Sequence, residues 1–313
     1  MWRWARRPCD DGSCSSPSLN PVLSAARIRF YKPAEPLQPY LSAYYFTDID
    51  AGGPVEDLMH PEWGNIRCTL SGYWTFQSAR SSADSRSMPA RLYGPTSQTT
   101  RVAGYPPTRT ASGGVLPLGW ARLIGFPAHR HADRIAPLAD VFGTAADRLF
   151  AALQAAPDDV ALCAILNDFF LQRLSESVPP PPLLAQAHAL LLDPEIATAQ
   201  EFAARLGLSS RQMARLSLDM FGFPPKLLLR RQRFLRTLAR LRAGPKEPWS
   251  RQLDAAYYDH SHFVRDFHHF MGCSPTQYFS SARVLLDPAA PLRQRAIGET
   301  LQGLHPVATI RPR

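Results

Sequence analysis

Side chains that could bind a polyanion are concentrated in one stretch of the chain. Between Arg205 and Arg242 the sequence has ten basic residues, nine of them arginines, and Asp219 is the only acid there. The guanidinium group of arginine suits paired hydrogen bonds to phosphate and to guanine. The whole chain has 35 Lys and Arg against 26 Asp and Glu, a formal charge of +9. A stripe of one sign on helical segments predicts contact with a nucleic acid.

Histidines suggest a second kind of chemistry, but their spacing does not complete a site. His260 and His268 would lie two turns apart on a helix, and no cysteine or carboxylate at a suitable spacing completes a zinc site. His129 and His131 also lack a third ligand. The sequence has no serine-nucleophile motif and no phosphate-binding glycine loop. We therefore predict no metal, no cofactor and no enzymatic activity, and we assign no cofactor-binding residues.

The arginines fall on a helix-turn-helix pattern at residues 199–222, AQEFAARLGLSSRQMARLSLDMFG. Gly207 permits the left-handed turn that ends the first helix, and Ser209 is a good N-cap for the second. Helical spacing turns Met213 and its apolar neighbours inward. The opposite face carries arginines and one alanine. Small or arginine side chains on an exposed N-terminal half fit the major groove of DNA.

A second unit is predicted at residues 250–272, SRQLDAAYYDHSHFVRDFHHFMG. Its first helix would bury Leu253, Ala256 and Tyr257, and Asp259 would cap its second helix. The segment between the units, PPKLLLRRQRFLRTLARLRAG, predicts one long helix. Two recognition helices on one rigid rod would stand at a fixed separation, about one turn of DNA or ~34 Å if both bind the same face.

The region before these units predicts a β-rich domain. Short aromatic and β-branched segments, such as AYYFTDI, YWTFQ and WARLIGF, lie between Gly, Pro and Ser clusters. Several short strands of this kind favour a closed barrel or a sandwich, since closure hides the sheet edges. Two amphipathic helices follow, and then VPPPP at 178–182. Four prolines cannot continue a helix, so this segment predicts a linker.

Composition bounds the number of domains and the compartment. With 313 residues, 45% of them apolar, the chain is long enough for about two folded domains. Five scattered cysteines favour a reducing cytoplasm, and no apolar run approaches the ~18 residues of a membrane span. The sequence predicts a multidomain α+β fold. Its N-terminal half would consist of a disordered segment at 1–26, a β-rich, barrel-like sensor domain at 27–128 and a helical segment that could dimerise at 129–177. A proline linker at 178–182 would lead to an all-α DNA-binding domain with two helix-turn-helix units at 183–286 and a loosely ordered tail at 287–313.

The region 183–283 resembles the AraC/XylS-type DNA-binding domain. The segment DHSHFVRDFHHFMGCSPTQY, residues 259–278, follows the family pattern D-x-S-H-F-x-R-x-F-x-x-x-x-G-x-S-P-x-x-Y at every stated position. LSSRQMARL, followed by FGFPP, resembles the signature of the first unit. Ser217 departs from the family, which usually has Phe there, and this predicts an under-packed core in the first unit.

The resemblance implies which residues read DNA. One set of residues on each recognition helix matches the positions that face the DNA groove in the family. Gln212 is included with the set on the first recognition helix. On the joining helix, Arg230 is expected to bind backbone phosphate. The first set is Arg211, Gln212, Ala214 and Arg215, and the second is His260, Ser261, Val264 and Arg265.

The resemblance implies a sequence-specific transcription regulator that binds double-stranded DNA in the cytoplasm, at the nucleoid. N-terminal domains of the family are often cupin-like barrels that bind a small molecule and dimerise. A homodimer and a small-molecule effector are therefore expected, and RNA polymerase is a partner if the protein is an activator. The helices between about Ala145 and Leu174 would form the dimer contact, through an apolar face that carries Leu162, Ile165, Leu166, Phe169 and Phe170, and the alternative is that this face caps the barrel. The alternative is a metal-dependent or ligand-binding barrel protein with an accessory DNA-binding domain.

Overall fold

A computed structural model describes residues 26–50, 52–244, 248–251, 257 and 259–306. Strands come first and helices follow. The expectation of disorder for residues 1–26 lies outside the described residues, apart from Ala26, which begins the first strand. The strands are β1 (Ala26–Tyr31), β2 (Leu41–Ile49), β3 (Val55–Met59), β4 (Gly64–Gln77), β5 (Ser82–Asp84), β6 (Ala90–Tyr93), β7 (Thr100–Val115) and β8 (Ile135–Pro137).

All of these strands pair antiparallel in one sheet, in the order β1-β2-β7-β4-β6-β8. β3 pairs with β7 and β5 with β4, beside the main path. β4 and β7 are the long central strands, and their register shifts on both sides of Ser71. Gly72 has a φ of 65°, and a β-carbon there would lie 2.1 Å from the carbonyl oxygen of Pro107. Only glycine fits this bend, at which the sheet curves.

The curved sheet has an apolar concave face. Side chains from six strands form one buried cluster there, including Ile28, Ile49, Trp74 and Val102. Within the described strands, no ladder joins β1 to β8, so the sheet is barrel-like with an open path rather than a closed ring. The prediction of a β-rich N-terminal domain followed by helices is confirmed at this level.

The helices are mostly those that the apolar spacing predicts. They are α1 (Pro117–Gly119), α2 (Ala139–Phe142), α3 (Thr144–Ala155), α4 (Asp159–Glu176), α5 (Pro182–Leu192), α6 (Ala199–Arg205), α7 (Ser210–Phe221), α8 (Pro225–Ala243), α9 (His260–Met271), α10 (Pro275–Ser280) and α11 (Leu286–Ile297). Short 3-10 turns occur at Glu35–Leu37, Ala128–Arg130, Trp249–Arg251 and Gln302–Leu304, and a π turn at Trp120–Ile124.

The first helix-turn-helix unit shares its core with the N-terminal half of the chain. Phe202, Met213 and Phe221 belong to the same buried cluster as Trp63 and Trp120. The second unit has a separate aromatic core. Its rings come from α8, α9 and α10, and they are Phe234, Phe263, Phe267, Phe270 and Tyr278.

Two expectations about local structure are wrong. WARLIGF is helical rather than a strand, because Pro117 begins a helical turn and Gly125, with a φ of 79°, ends it. The described part of the tail, residues 287–306, is not loosely ordered, since α11 occupies it as far as Ile297 and packs along β1, whereas residues 307–313 lie outside the described residues. Pro288 sits in the first turn of α11, where a missing N–H costs little, and packing tolerates the interior Pro291.

The apolar face expected to form a dimer contact is used inside the chain. Leu162, Leu166 and Phe170 on α4 are fully buried in the large core. The ring of Phe170 stacks on Tyr44 of β2 with centroids 6.4 Å apart. The linker is slightly shorter than the proline run, because Pro182 is already the first residue of α5.

Candidate nucleic-acid interface

α7 is the predicted recognition helix of the first unit, and both of its ends are fixed. At its start the Ser209 hydroxyl accepts from the backbone N–H of Gln212 at 3.3 Å, and the Gln212 side-chain carbonyl accepts from the Ser209 N–H at 2.9 Å. At its end Gly222 adopts a left-handed conformation with a φ of 87°. Such caps satisfy backbone groups that a helix terminus leaves unpaired. Gln212 therefore keeps only its amide nitrogen for a DNA contact.

α9 repeats this layout in the second unit. The carboxylate of Asp259 accepts from the backbone N–H of His262 at 2.6 Å, and Gly272 ends the helix with a φ of 69°. Each recognition helix has 12 residues, and each is followed by a helix with proline at its first position, Pro225 in one unit and Pro275 in the other. Leu253 and Ala256, expected to pack beneath α9, lie outside the described residues, while Tyr257 is buried as expected.

The predicted reading residues lie on the outer faces of these two helices. Arg211 and Arg265 are exposed, and neither has a partner among the described residues. Arg215 is 87% exposed and lies 3.8 Å from Asp219, a solvent-screened pair that contributes little. The remaining positions are exposed at Gln212, His260 and Ser261 and half-buried at Ala214 and Val264.

Arg230 is placed differently, because its guanidinium is already engaged. Its Nε donates to the Oδ1 of Asp266 at 2.5 Å, and Asp266 is fully buried. Arg233 lies 3.4 Å from the other oxygen of this carboxylate, and the Tyr257 hydroxyl donates to that oxygen at 2.9 Å. Burial and the neighbouring carboxylate raise the pKa of Tyr257. This cluster joins α8 to α9, and the sequence pattern gave no sign of it beyond an acid at an inward-facing position.

Several arginines of the basic stripe also face the interior of the molecule. Arg231 is fully buried, donates to the carbonyl oxygen of Thr96 at 2.8 Å and lies 3.9 Å above the ring of Trp63. Burial lowers the pKa of Arg231 to about 9. Arg242 donates to the Tyr278 hydroxyl at 2.9 Å. The exposed basic residues of the stripe are fewer than its ten charges suggest: Arg205, Arg211, Arg215, Lys226 and Arg240.

The N-terminal domain holds both recognition helices at their C-terminal ends. His129 lies 3.5 Å from the carboxylate of Asp219 on α7. Pro95 packs on Gly222, since a β-carbon there would lie 2.8 Å from its Cγ. The backbone N–H of Thr99 donates to the carbonyl oxygen of Phe270 on α9 at 2.7 Å. The relative placement of the two helices therefore depends on the β-rich domain as well as on α8.

Within the residues that the structure describes, no group of three or more His, Cys, Asp or Glu side chains is close enough to hold a metal ion. None of the helices in the described part of the chain is both long and apolar enough to cross a membrane.

Comparison with known proteins identifies the C-terminal part. Residues 202–281 match the family described as "Helix-turn-helix domain", and this region has the AraC-type arrangement. No curated protein has a sequence significantly similar to that of the chain. The match and the two capped helices together define the class of residues 202–281: an AraC-type helix-turn-helix domain, the DNA-binding part of a transcription regulator.

Solved structures of regulators were also found. ToxT from Vibrio cholerae O395 is 10% identical, over 82% of this chain and 97% of that chain, with a TM-score of 0.42. Wild-type ToxT of V. cholerae strain SCE256 with a bound unsaturated fatty acid is 10% identical over 81% and 94%, with a TM-score of 0.41. The AraC-like transcriptional activator CuxR is 13% identical over 69% and 88%, with a TM-score of 0.27. Scores of this size do not establish a common overall fold.

Proposed function

We propose that α7 and α9 read two successive major-groove segments of one DNA duplex. The observation that carries this proposal is the repeated layout of the two helices, each capped at its start, ended by a left-handed glycine and exposed along one polar face. α8 has 19 residues and is about 28 Å long. That length is close to the ~34 Å that separates equivalent groove segments on one face of B-DNA.

Within this proposal, Arg211, Arg215 and Arg265 bind guanine edges, because their guanidinium groups are exposed at groove-facing positions. His260 and Ser261, in the first turn of α9, add polar contacts, and the half-buried Ala214 and Val264 offer apolar contact to thymine methyl groups. Arg230 has a structural role as the partner of Asp266, which replaces the phosphate contact expected from the sequence.

Selection of bound duplexes from a random pool, followed by footprinting, tests the proposal. Arg211→Ala should lose about 1–3 kcal/mol of discrimination at one or two base pairs. Arg205→Ala is the matched control, an exposed arginine at the end of α6 and outside both recognition helices. This control should weaken binding to all sequences alike and only slightly. A protein that enriches no sequence from the pool, or an Arg211→Ala loss that is equal on selected and random DNA, would contradict the proposal.

We propose three further partners. The β-rich domain senses a small-molecule effector in its concave face, and this is developed below. The protein acts as a homodimer at the nucleoid and contacts RNA polymerase if it activates transcription. Because Leu162, Leu166 and Phe170 are core residues, these three side chains do not form the two-fold contact. Sedimentation equilibrium with and without operator DNA tests the homodimer, and a chain that stays monomeric in both would contradict it.

A further inference from the structure

A cavity of about 140 Å³ lies in the concave face of the β-rich domain. The accessible surface of its walls is mainly apolar and includes the rings of Phe30, Tyr45, Trp74 and Phe76. A cavity of about 150 Å³ with apolar walls is large enough for benzene. The cavity therefore has room for one aromatic ring or a short branched alkyl group.

The mouth of this cavity is covered by the C-terminal helix of the chain. Leu286, Ala289 and Arg293 of α11 line it, followed by residues 300–302. α11 is held in place at its start, where the backbone N–H groups of Leu285 and Leu286 donate to Asp57 Oδ2 at 2.9 and 3.1 Å. One side of the site is thus formed by the sheet. The other side is formed by α11, the helix that comes next in the chain after the second helix-turn-helix unit.

Arg293 has unused hydrogen-bond donors at this site. Its side chain is 7% exposed, and its Nε and Nη2 atoms are buried with no partner. The carboxylates of Glu62 and Glu299 favour its charged form electrostatically, but no carboxylate in the described part of the chain forms an ion pair with it. The ring centroid of Phe30 is 5.7 Å from its Cζ. Burial lowers the pKa of Arg293 to about 10. A buried cation without a direct ion-pair partner costs several kcal/mol, and a bound anion offsets that cost.

The other arginines around the cavity already have partners. Arg67 is paired with Glu62 and donates to the Tyr45 hydroxyl at 2.8 Å. Arg91 donates to the Thr69 hydroxyl at 2.7 Å. Among the described side chains that line the cavity, only those two atoms of Arg293 are both buried and unpartnered. The unsatisfied charge therefore lies on the cover rather than on the wall.

We propose that the cavity binds a small monocarboxylate, with an apolar body about the size of one aromatic ring, whose carboxylate pairs with Arg293 of α11. The inference rests on the proposed function, since this acid would be the effector of the regulator. Binding joins α11 to the sheet through the ligand. Because five residues separate the end of α10 from the start of α11, occupancy is coupled to the second helix-turn-helix unit.

The test uses the full chain and three sodium salts as probes, namely benzoate, phenylacetate and isovalerate, with the three corresponding amides as uncharged controls. Calorimetric titration and thermal unfolding should show that at least one acid binds and raises the Tm, while its amide does not. Arg293→Gln should lower the affinity at least tenfold. Arg295→Gln, an exposed arginine two residues further on the same helix, should leave it unchanged.

A purely structural role for Arg293 would give another pattern. Without ligand, Arg293→Gln should unfold at the same temperature as the wild type or higher, because it removes an uncompensated charge, and Arg293→Lys should keep part of the acid binding. Failure of all three acids to bind, equal binding of acid and amide, or wild-type affinity in Arg293→Gln would each overturn the proposal. DNA binding of the wild-type protein is measured separately, without any acid. If the wild type fails to bind operator DNA in that experiment, the result counts against the proposed function and not against the carboxylate site.

Discussion

Ser217 is a fully buried hydroxyl in the middle of α7, and its oxygen has no hydrogen-bond partner in the described structure. Related domains usually carry Phe at this position, so the first unit has a small polar group where a large ring would fill the core. An unsatisfied buried hydroxyl costs about 1–3 kcal/mol. Ser217 therefore leaves an uncompensated polar group in the core of the first unit.

Ser217→Ala should therefore stabilise the protein, by about 1 kcal/mol, because alanine removes the unsatisfied group and favours the helix. Urea unfolding followed by circular dichroism measures the change. Ser210→Ala, at the exposed first turn of the same helix, is the control and should have little effect. A loss of stability in Ser217→Ala would mean that the hydroxyl has a partner in solution.

His188 is another buried polar group, with both ring nitrogens unpartnered. It packs edge-on against Trp63, with centroids 5.8 Å apart, and it faces Arg231 and His305. Burial first, and then these two neighbours, lower the pKa of His188 from 6.5 to about 3. Burial likewise lowers the pKa of His305 to about 4.

Both histidines are neutral in the folded protein near neutral pH and take up protons more readily when unfolded. Their stabilisation is thus fully present above pH 6.5 and is lost as the pH falls below 6.5 toward the folded pKa values. Each should contribute a slope of up to about 1.4 kcal/mol per pH unit in that window. In urea titrations at several pH values, His188→Phe should reduce the slope by about one proton. An unchanged slope in His188→Phe would show that His188 is not the titrating group.

At the scale of elements, the joint between α8 and α9 depends on one carboxylate. The fully buried carboxylate of Asp266 forms ion pairs with Arg230 and Arg233 of α8 and accepts a hydrogen bond from the Tyr257 hydroxyl. Removing one partner of a buried charged cluster leaves the others uncompensated, at a cost of about 3–5 kcal/mol.

Asp266→Asn should accordingly destabilise the second unit by that amount and lower DNA affinity through loss of the α9 orientation. Hydrogen exchange of α9 amides, compared with those of α7, locates the loss. The exposed Asp168→Asn on α4 is the control. Equal protection of α9 in Asp266→Asn and wild type would rule out this role of the joint.

Elements that are determined by adjacent residues could be predicted from the sequence, whereas those that depend on contacts between distant residues could not. The caps Ser209 and Asp259 and the stop at Gly272 follow from adjacent residues, so the two units and their outward faces were predictable. The placement of Arg230 was not, because its partner Asp266 lies 36 residues away. The order of residues 287–306 was also missed, since their prolines suggest a coil and α11 depends on distant contacts with β1 and with Asp57.

At the scale of the whole molecule, the residues before and after the proline linker share one hydrophobic core. Phe202, Met220 and Phe221, which lie after the linker, pack in one cluster with Trp63 and Ala128, which lie before it. The first unit therefore relies on the N-terminal half for its apolar environment, whereas the second has its own aromatic core.

A fragment of residues 183–306 should reflect this asymmetry. We expect slow amide exchange in α9 and fast exchange in α7, together with a lower urea midpoint than that of the full chain, because separation exposes the shared apolar surface. A fragment with the urea midpoint and exchange pattern of the full chain would contradict the shared-core interpretation.

The loop from Gly94 to Thr99 touches all three parts of the DNA-reading region: Pro95 packs at the end of α7, Thr96 binds Arg231 of α8, and Thr99 binds the end of α9. Ser97 ties it to Asp133 through two hydrogen bonds. Because this loop contacts both recognition helices, it helps to set the distance between them. One inserted or deleted residue there would change the preferred spacing of the two DNA segments while leaving every base-contacting side chain intact. Operator spacing in such a regulator can therefore evolve in a largely buried loop that lies outside both recognition helices.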